Sequence, residues 1–455
     1  MFLRTLLSSF LLTQAPSSSD APVRAPTSEV AAPAPAGASL PLLTFEEAIL
    51  LAEKQNPSLE AARARLEQSR LLGNKAWSGY LPNITAGGSY IHNPKEVSFE
   101  FPGFPEPVVL QKQNQLSGQL SARQALLVPT LWPAIQGAYL GERTAELTTE
   151  NTRREILFGV AQAYLGAASL RESLAVREQL LEVRRGFERD AQARFEVGDA
   201  EKLAVLRATL DRKQAEQELV RSRSDYATAK SALAVLLGRS VDFEVVTPQG
   251  AKFTAPPESA NLDRAEEKAL EQRPDVSAAR LNVDIARTGH RQVLFEYLPN
   301  LYATANYSAS NAAGLTGASS TWTLGLSLSW TLLDGGLREA KLSEASSKIA
   351  EANANLRGTE LKIRDEVRKA RYALESAEAN LSTAEERAKI ARESARLAKA
   401  SFDAGATTYL QVTDVNATLA SAELGFVAES LNVQLSRLAL ARAMGLFELS
   451  GNPSP

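Results

Sequence analysis

The sequence predicts an α+β chain of two tandem halves, in which very long helices carry short strands suited to a lipid-facing barrel. Three observations lead there. "GYLPNITAGGSY" at residues 79–90 returns as "EYLPNLYATANY" at 296–307, with Tyr80, Leu81, Pro82 and Asn83 repeated 217 positions later as Tyr297, Leu298, Pro299 and Asn300. No proline interrupts residues 134–247 or 300–452. "WTLGLSLSW", residues 322–330, alternates strictly between apolar and small or polar residues.

Composition narrows the classes. Lys and Arg total 50 against 53 acids, a formal charge of -3 with no dense basic patch, so no nucleic acid is expected as a partner. The absence of cysteine excludes disulfides, thiolate metal sites, a nucleophilic Cys and an acylated Cys. The start, "MFLRTLLSSFLLTQA", joins Arg4 to a short apolar run and small residues, so residues 1–20 are expected to be a signal peptide, with an uncleaved start as the alternative. Residues 21–42 are rich in Pro, Ala and Ser, hold too little apolar surface to offset ordering entropy, and read as a tether. Nowhere do 18 apolar residues run together, so membrane contact would have to come through strands.

The elements follow in order. Residues 43–248 form repeat 1, with helices over 55–80, 130–197 and 199–237 and strands near 82–91 and 114–127. Residues 249–446 form repeat 2, with helices over 274–298, 337–404 and 406–444 and strands near 300–309 and 321–333; 447–455 is a tail. Prolines 82 and 299 close the helices before the strands, and Gly198, Gly238, Gly405 and Gly445 punctuate the later ones. "RFEVGDAEKLAVL" and "SFDAGATTYLQVT" pair at an offset of 207 rather than 217, which implies a small insertion in the first half. Residues 337–404 would span about 100 Å as a helix, and the two shorter helices of the same half together nearly match that length. Ala377, Leu381, Ala384, Ala388, Ala391, Ala395, Ala398 and Phe402 alternate spacings of 4 and 3, a heptad seam of small residues. An ordinary solvated coiled coil explains these helices equally well.

The strands discriminate. Trp322, Leu324, Leu326, Leu328 and Trp330 share one face, and eight steps of about 3.3 Å, tilted as in a barrel, give a band about 20 Å tall. "LYATANYS" alternates likewise, and weaker stripes run through Ile84, Ala86, Gly88 and Tyr90 and through Leu116, Gly118, Leu120 and Ala122. Trp77, Tyr80, Trp132, Tyr297, Trp322 and Trp330 are the expected membrane-interface aromatics. Four strands cannot close a barrel and open edges are not tolerated in lipid, so the chain must oligomerise. Two copies would give eight strands and a filled interior; three would give twelve, with room for solutes.

At this point the ordered motifs resemble a known family, the TolC-like outer-membrane efflux proteins, or outer membrane factors. The likeness rests on "LTFEEAILLAEKQNPSLEAARARL", the twin "YLPN" entries, the twin "RFEVG" and "SFDAG" turns and "LLDGGLREAKL", across roughly residues 43–446. It implies a homotrimer with a twelve-stranded outer-membrane β-barrel, four strands per chain, set in outer-membrane lipid and continued by a long periplasmic α-helical barrel with coiled-coil packing. Residues near 43–54, 239–272 and the C-terminus would form a belt around its middle. The implied function is the channel of a tripartite efflux or type I secretion system, passively conducting substrates from a periplasmic adaptor (membrane fusion) protein and an inner-membrane pump to the exterior. A non-transporting periplasmic coiled-coil scaffold or adaptor is the alternative; it would need the helices but not "WTLGLSLSW". No G-x-x-x-x-G-K loop is present, and His92 and His290 stand in no catalytic constellation, so no enzyme, cofactor or metal site is expected.

The resemblance also locates a periplasmic tip. Gly198, Asp199, Ala200, Leu203, Gly405, Ala406 and Leu410 would dock the adaptor. Among pore and gate positions, an acidic ring residue is retained as Asp414 and its neighbour one turn earlier is Gln411. Where family members bond across a closed tip this chain has Ala204, Phe402 and Thr407, which argues against a charged latch. Three lumen-facing Asp414 carboxylates would favour cations; a solvated surface carboxylate is the alternative.

Overall fold

The computed structural model describes residues 40–99, 108–198, 201–246, 261–312 and 318–447. The expected signal peptide and all but the last residues of the expected tether lie outside them. Strand β1 (Leu42–Leu43) leads into α1 (Phe45–Gln55) and α2 (Pro57–Ser78), followed by β2 (Asn83–His92), β3 (Val97–Phe99), β4 (Val108–Gln111) and β5 (Asn114–Leu127). Then come α3 (Leu131–Glu196), α4 (Lys202–Leu237) and β6 (Glu244–Val245). The second half runs α5 (Leu262–Gln272), α6 (Pro274–Phe295), β7 (Asn300–Ser310), β8 (Ser320–Ser329), α7 (Leu337–Asp403) and α8 (Tyr409–Ala443).

Several bounds differ from expectation for local reasons. The helix expected over 55–80 starts two residues later, because Asn56 intervenes: its side chain accepts from Ser58 N at 2.9 Å and Leu59 N at 3.1 Å, with Pro57 opening the new helix. α8 starts at Tyr409 rather than 406, where Thr408 and Gln411 form a capping box. The strand expected over 321–333 ends at Ser329; beyond it, Arg338 binds Asp334 at 2.7 Å and fixes the turn into α7. Pro133 falls in the first turn of α3, where a missing N–H costs nothing. The count of four strands holds for the main sheet only. A small antiparallel hairpin of β3 and β4 fills the insertion, and β1 pairs with β6 in parallel. Phe447, expected in the tail, is buried against Phe158, ring centroids 5.7 Å apart.

The main sheet has the order β2-β5-β7-β8, antiparallel throughout. From it run the helices. α3 packs on α4, α2, α6 and α8, while α7 packs on α8, α6 and α5. Large side chains concentrate in a belt: Phe45, Ile49, Leu157, Tyr164, Leu233, Phe243 and Leu438 form one cluster, and Val276, Ile363, Val367, Leu374, Leu440 and Met444 a second. Toward the tip the α7 core thins to alanine, with Ala377, Ala384, Ala388, Ala391 and Ala395 buried and Leu381, Ala398 and Phe402 partly so. Small seam residues let helix backbones approach closely.

The two halves share a joint where one helix end meets the junction of two others. Gly238, at the end of α4, has φ +68°, and a Cβ there would lie 2.4 Å from Gln55 O. Gly445, after α8, has φ +73°, and a Cβ would lie 3.2 Å from Gln272 C. The Asn56 amide donates to Leu236 O at 2.7 Å, and Arg273, its counterpart, donates to Ala443 O at 3.3 Å. Beside the first joint, the Tyr164 hydroxyl lies 2.7 Å from Val246 O and 2.9 Å from Leu43 O, tying α3 to both belt strands. Burial pushes that hydroxyl up to about 12. The Tyr226 hydroxyl donates to Glu244 at 2.6 Å and is also pushed up to about 12, first by burial and then by that carboxylate. Burial alone would raise Glu244, but hydrogen bonds from Lys230 and Tyr226 outweigh it and hold the carboxyl below its usual value.

Candidate functional site: the two-faced sheet and the helical tip

Strand register sorts the sheet into two faces. Ile84, Ala122, Ala305 and Leu324 form one row across all four strands, and Ala86, Leu120, Tyr307 and Trp322 the next on that face. Opposite lie Thr85, Ser121, Asn306 and Thr323, then Gly87, Gln119, Ser308 and Thr321. Hydroxyl pairs lace the polar face, Thr85 to Ser121 at 2.6 Å, Ser89 to Ser117 at 2.7 Å and Ser308 to Thr321 at 2.8 Å. On the apolar face Trp322, Leu324 and Leu326 are 71%, 73% and 72% exposed, far more contiguous apolar surface than water tolerates at small cost. Among the described residues, the edge strands β2 and β8 each have one neighbour.

Five of the six expected interface aromatics gather where strands meet helices. Trp77 Nε1 donates to the Tyr139 hydroxyl at 3.1 Å and stacks obliquely on Tyr80, Trp132 meets Phe295 edge-on, and Trp330 Nε1 donates to Tyr297 O at 3.1 Å. Trp322 stands near the opposite end of β8, paired with Tyr307.

At the far end of the helices, Gly198 and Gly405 adopt φ +79° and +71°, conformations that turn the chain and that side-chain-bearing residues rarely adopt. Val197, Leu203, Leu206, Leu210 and Leu410 are exposed around these turns. Asp199 and Ala200 lie outside the described residues. Ala406 donates its N–H to Ser401 O, and Ala204 to Glu201 O, as turn and helix-start contacts.

The expected gate positions separate into different roles. Phe402 packs on Phe187 of α3 at 6.2 Å, beneath Arg194 at 4.8 Å. Thr407 hydrogen-bonds Gln411, whose side chain also accepts from Thr408 N, so Gln411 is engaged in capping α8. Asp414 is exposed one turn on. The sequence reading missed a cluster that joins three helices: the Tyr409 hydroxyl donates to Asp211 at 3.2 Å, its ring meets Phe187 at 5.7 Å, and Arg184 lies 3.6 Å from Asp211. Burial pushes the Tyr409 hydroxyl above its usual value. No local pattern links positions 198 apart, so only an exposed-looking tyrosine just past a helix turn hinted at it. A groove of about 890 Å³ runs from this cluster between α4 and α8 over α3, bordered by Arg177, Glu218 and Thr413. Among the described residues no group of three or more His, Asp or Glu side chains is placed to hold a metal ion, and no helix is long and apolar enough to cross a membrane.

Fold and faces together define a class: a protomer with a lipid-facing sheet mounted on a trunk of paired long helices. The profile of the outer membrane efflux protein family matches residues 48–239 and 266–446, and the chain belongs to that family. The resemblance drawn from the motifs is thereby borne out, and the chain is an outer-membrane protein with a large periplasmic portion. Among curated relatives, the alkaline protease secretion protein AprF of Pseudomonas aeruginosa is 27% identical over 45% of this chain and 44% of its own. The outer membrane efflux protein BepC of Brucella suis is 25% identical over 66% and 63%. The chain thus spans between about two fifths and under two thirds of the length of these relatives. Solved structures of like fold include the CmeC channel of Campylobacter jejuni, at 17% identity and TM-score 0.75 over 90% of this chain and 87% of that one. VceC of Vibrio cholerae is another, at 20% and 0.72 over 88% and 96%.

Proposed function

We propose that this chain is the outer-membrane channel of a tripartite efflux or type I secretion system. Three copies complete a twelve-stranded barrel, and solutes pass passively from a periplasmic adaptor and inner-membrane pump to the exterior. The observation that carries this reading is the four-stranded sheet with an exposed apolar face, a hydroxyl-lined opposite face and two unpaired edges. In lipid such edges must pair, and copies of the same sheet supply the partners. A soluble scaffold would have no use for that face. The exposed Val197, Leu203, Leu206, Leu210 and Leu410 around the tip turns offer the adaptor an apolar surface. Asp199, Ala200 and Ala406 belong to the same proposed docking region. Asp414, exposed on the second turn of α8, is proposed to line the entrance.

The experiment exploits the absence of cysteine. Lys95→Cys, in the exposed turn after β2, and Glu201→Cys, at the tip, are each treated in intact cells with a membrane-impermeant maleimide. Labelling of residue 95 alone is expected for a chain that crosses the outer membrane in this direction. Labelling of neither until lysis would place the whole chain in the periplasm and return the scaffold reading.

A further inference from the structure

The polar face of the sheet carries one formal charge. Across β2, β5, β7 and β8 the one Lys, Arg, Asp or Glu is Arg123. It stands in the row Asn83, Arg123, Thr304, Gly325, on the same face as Thr85, Ser121, Asn306 and Thr323. Its guanidinium carbon lies 3.8 Å from the centroid of the Tyr302 ring, which orients the cation without neutralising it. Among the described residues no carboxylate comes within ion-pair distance of it, although most arginines of the helical trunk are so paired. Gly325 adds no side chain at the end of the row, and the Thr304 hydroxyl donates to Gly325 O at 3.4 Å.

An exposed cation without an ion-pair partner, on a face otherwise lined mainly by hydroxyls and amides, is a site for an anion. The planar guanidinium fork suits carboxylate and phosphate oxygens, and the neighbouring Asn83 and Thr304 supply neutral polar groups on either side. We propose that Arg123 makes the barrel lumen an anion-attracting station for solutes that carry carboxylate or phosphate groups. The proposal rests on the channel reading, under which three copies of Arg123 face one another at a single height of the lumen and their fields add.

The test uses the purified full-length protein in planar lipid bilayers under a potassium chloride gradient, comparing wild type with Arg123→Gln and Arg123→Lys. Removing the charge is expected to lower the chloride-to-potassium permeability ratio by at least about twofold, the effect of a unit charge about 8 Å away in a water-like dielectric. The lysine variant should keep most of the ratio. Citrate added to the outer side should cause brief current blocks in wild type that Arg123→Gln abolishes and Arg123→Lys retains in shortened form. Equal ratios and equal citrate blocks in wild type and Arg123→Gln would overturn the station while leaving the channel intact. Membrane-inserted protein with no conductance at all would overturn the channel reading and the station with it.

Discussion

At the scale of single residues, Gly238 stands in a tight joint, whereas Gly358 and Asp414 stand in open surroundings. Gly238 combines a left-handed backbone with a Cβ position 2.4 Å from Gln55 O, so Gly238→Ala must strain the turn and push two helix ends apart. The left-handed conformation alone costs about 1–2 kcal/mol for an L side chain. A clear fall in Tm is expected by calorimetry. Gly358→Ala, in open space on α7, should instead hold or raise Tm, by about 0.5–1 kcal/mol of helix preference. Equal melting of the two variants would show that the joint does not require close contact. Asp414 raises a different question, since nothing in the sheet or helix core depends on it. If its carboxylates ring the entrance, Asp414→Ala should reduce cation preference in single-channel recordings without changing Tm; an unchanged preference would leave it a solvated helix acid.

Elements impose their own rules, because a strand's two faces meet different solvents. Leu324 and Thr323 are neighbours on β8, yet one lies in the apolar row with Ala305 and the other in the hydroxyl row with Asn306. Leu324→Arg should block assembly into the outer membrane, since a cation on the lipid face near mid-bilayer costs about 2–4 kcal/mol per chain. Thr323→Arg should still assemble, as heat-modifiable oligomer on gels will show. The reverse outcome would invert the faces. In the belt, Tyr164 and Tyr226 hold β1 and β6 to the helices through neutral hydroxyls whose folded-state pKa, about 12, exceeds the usual 10. Folding favours the protonated form, so this stabilisation is complete below pH 10 and is lost as pH rises toward 12. Thermal melts between pH 9 and pH 12 should fall steeply for wild type and less steeply for Tyr164→Phe; parallel slopes would remove the tyrosines from the account.

For the whole molecule, closure is the deciding step. A sheet with β2 and β8 each unpaired on one side leaves rows of N–H and C=O groups that lipid cannot satisfy, so a lone 49.0 kDa chain has no stable place in a bilayer. Extracted gently, the protein should run as a trimer by light scattering, whereas a monomer or dimer would contradict the twelve-stranded barrel. The alanine seams of the helical trunk bury little area per turn, so under the trimeric reading each hairpin would gain stability from the neighbouring copies.

Much of this was legible in one dimension. Alternation in residues 322–330, the twin "YLPN" motifs and the glycine turns determined by themselves that strands and long helices alternate in two copies, since side-chain period and backbone freedom are local properties of the chain. The heptad of alanines marked the α7 seam for the same reason. Other features waited on the tertiary structure: Tyr409 meeting Asp211, Asn56 and Arg273 binding the helix ends Leu236 and Ala443, and Arg123 standing unpaired beside Tyr302. Each brings together residues distant in sequence, or depends on which charges fail to meet. Periodicity tells which face a side chain occupies; only strand register and helix packing decide what stands opposite it.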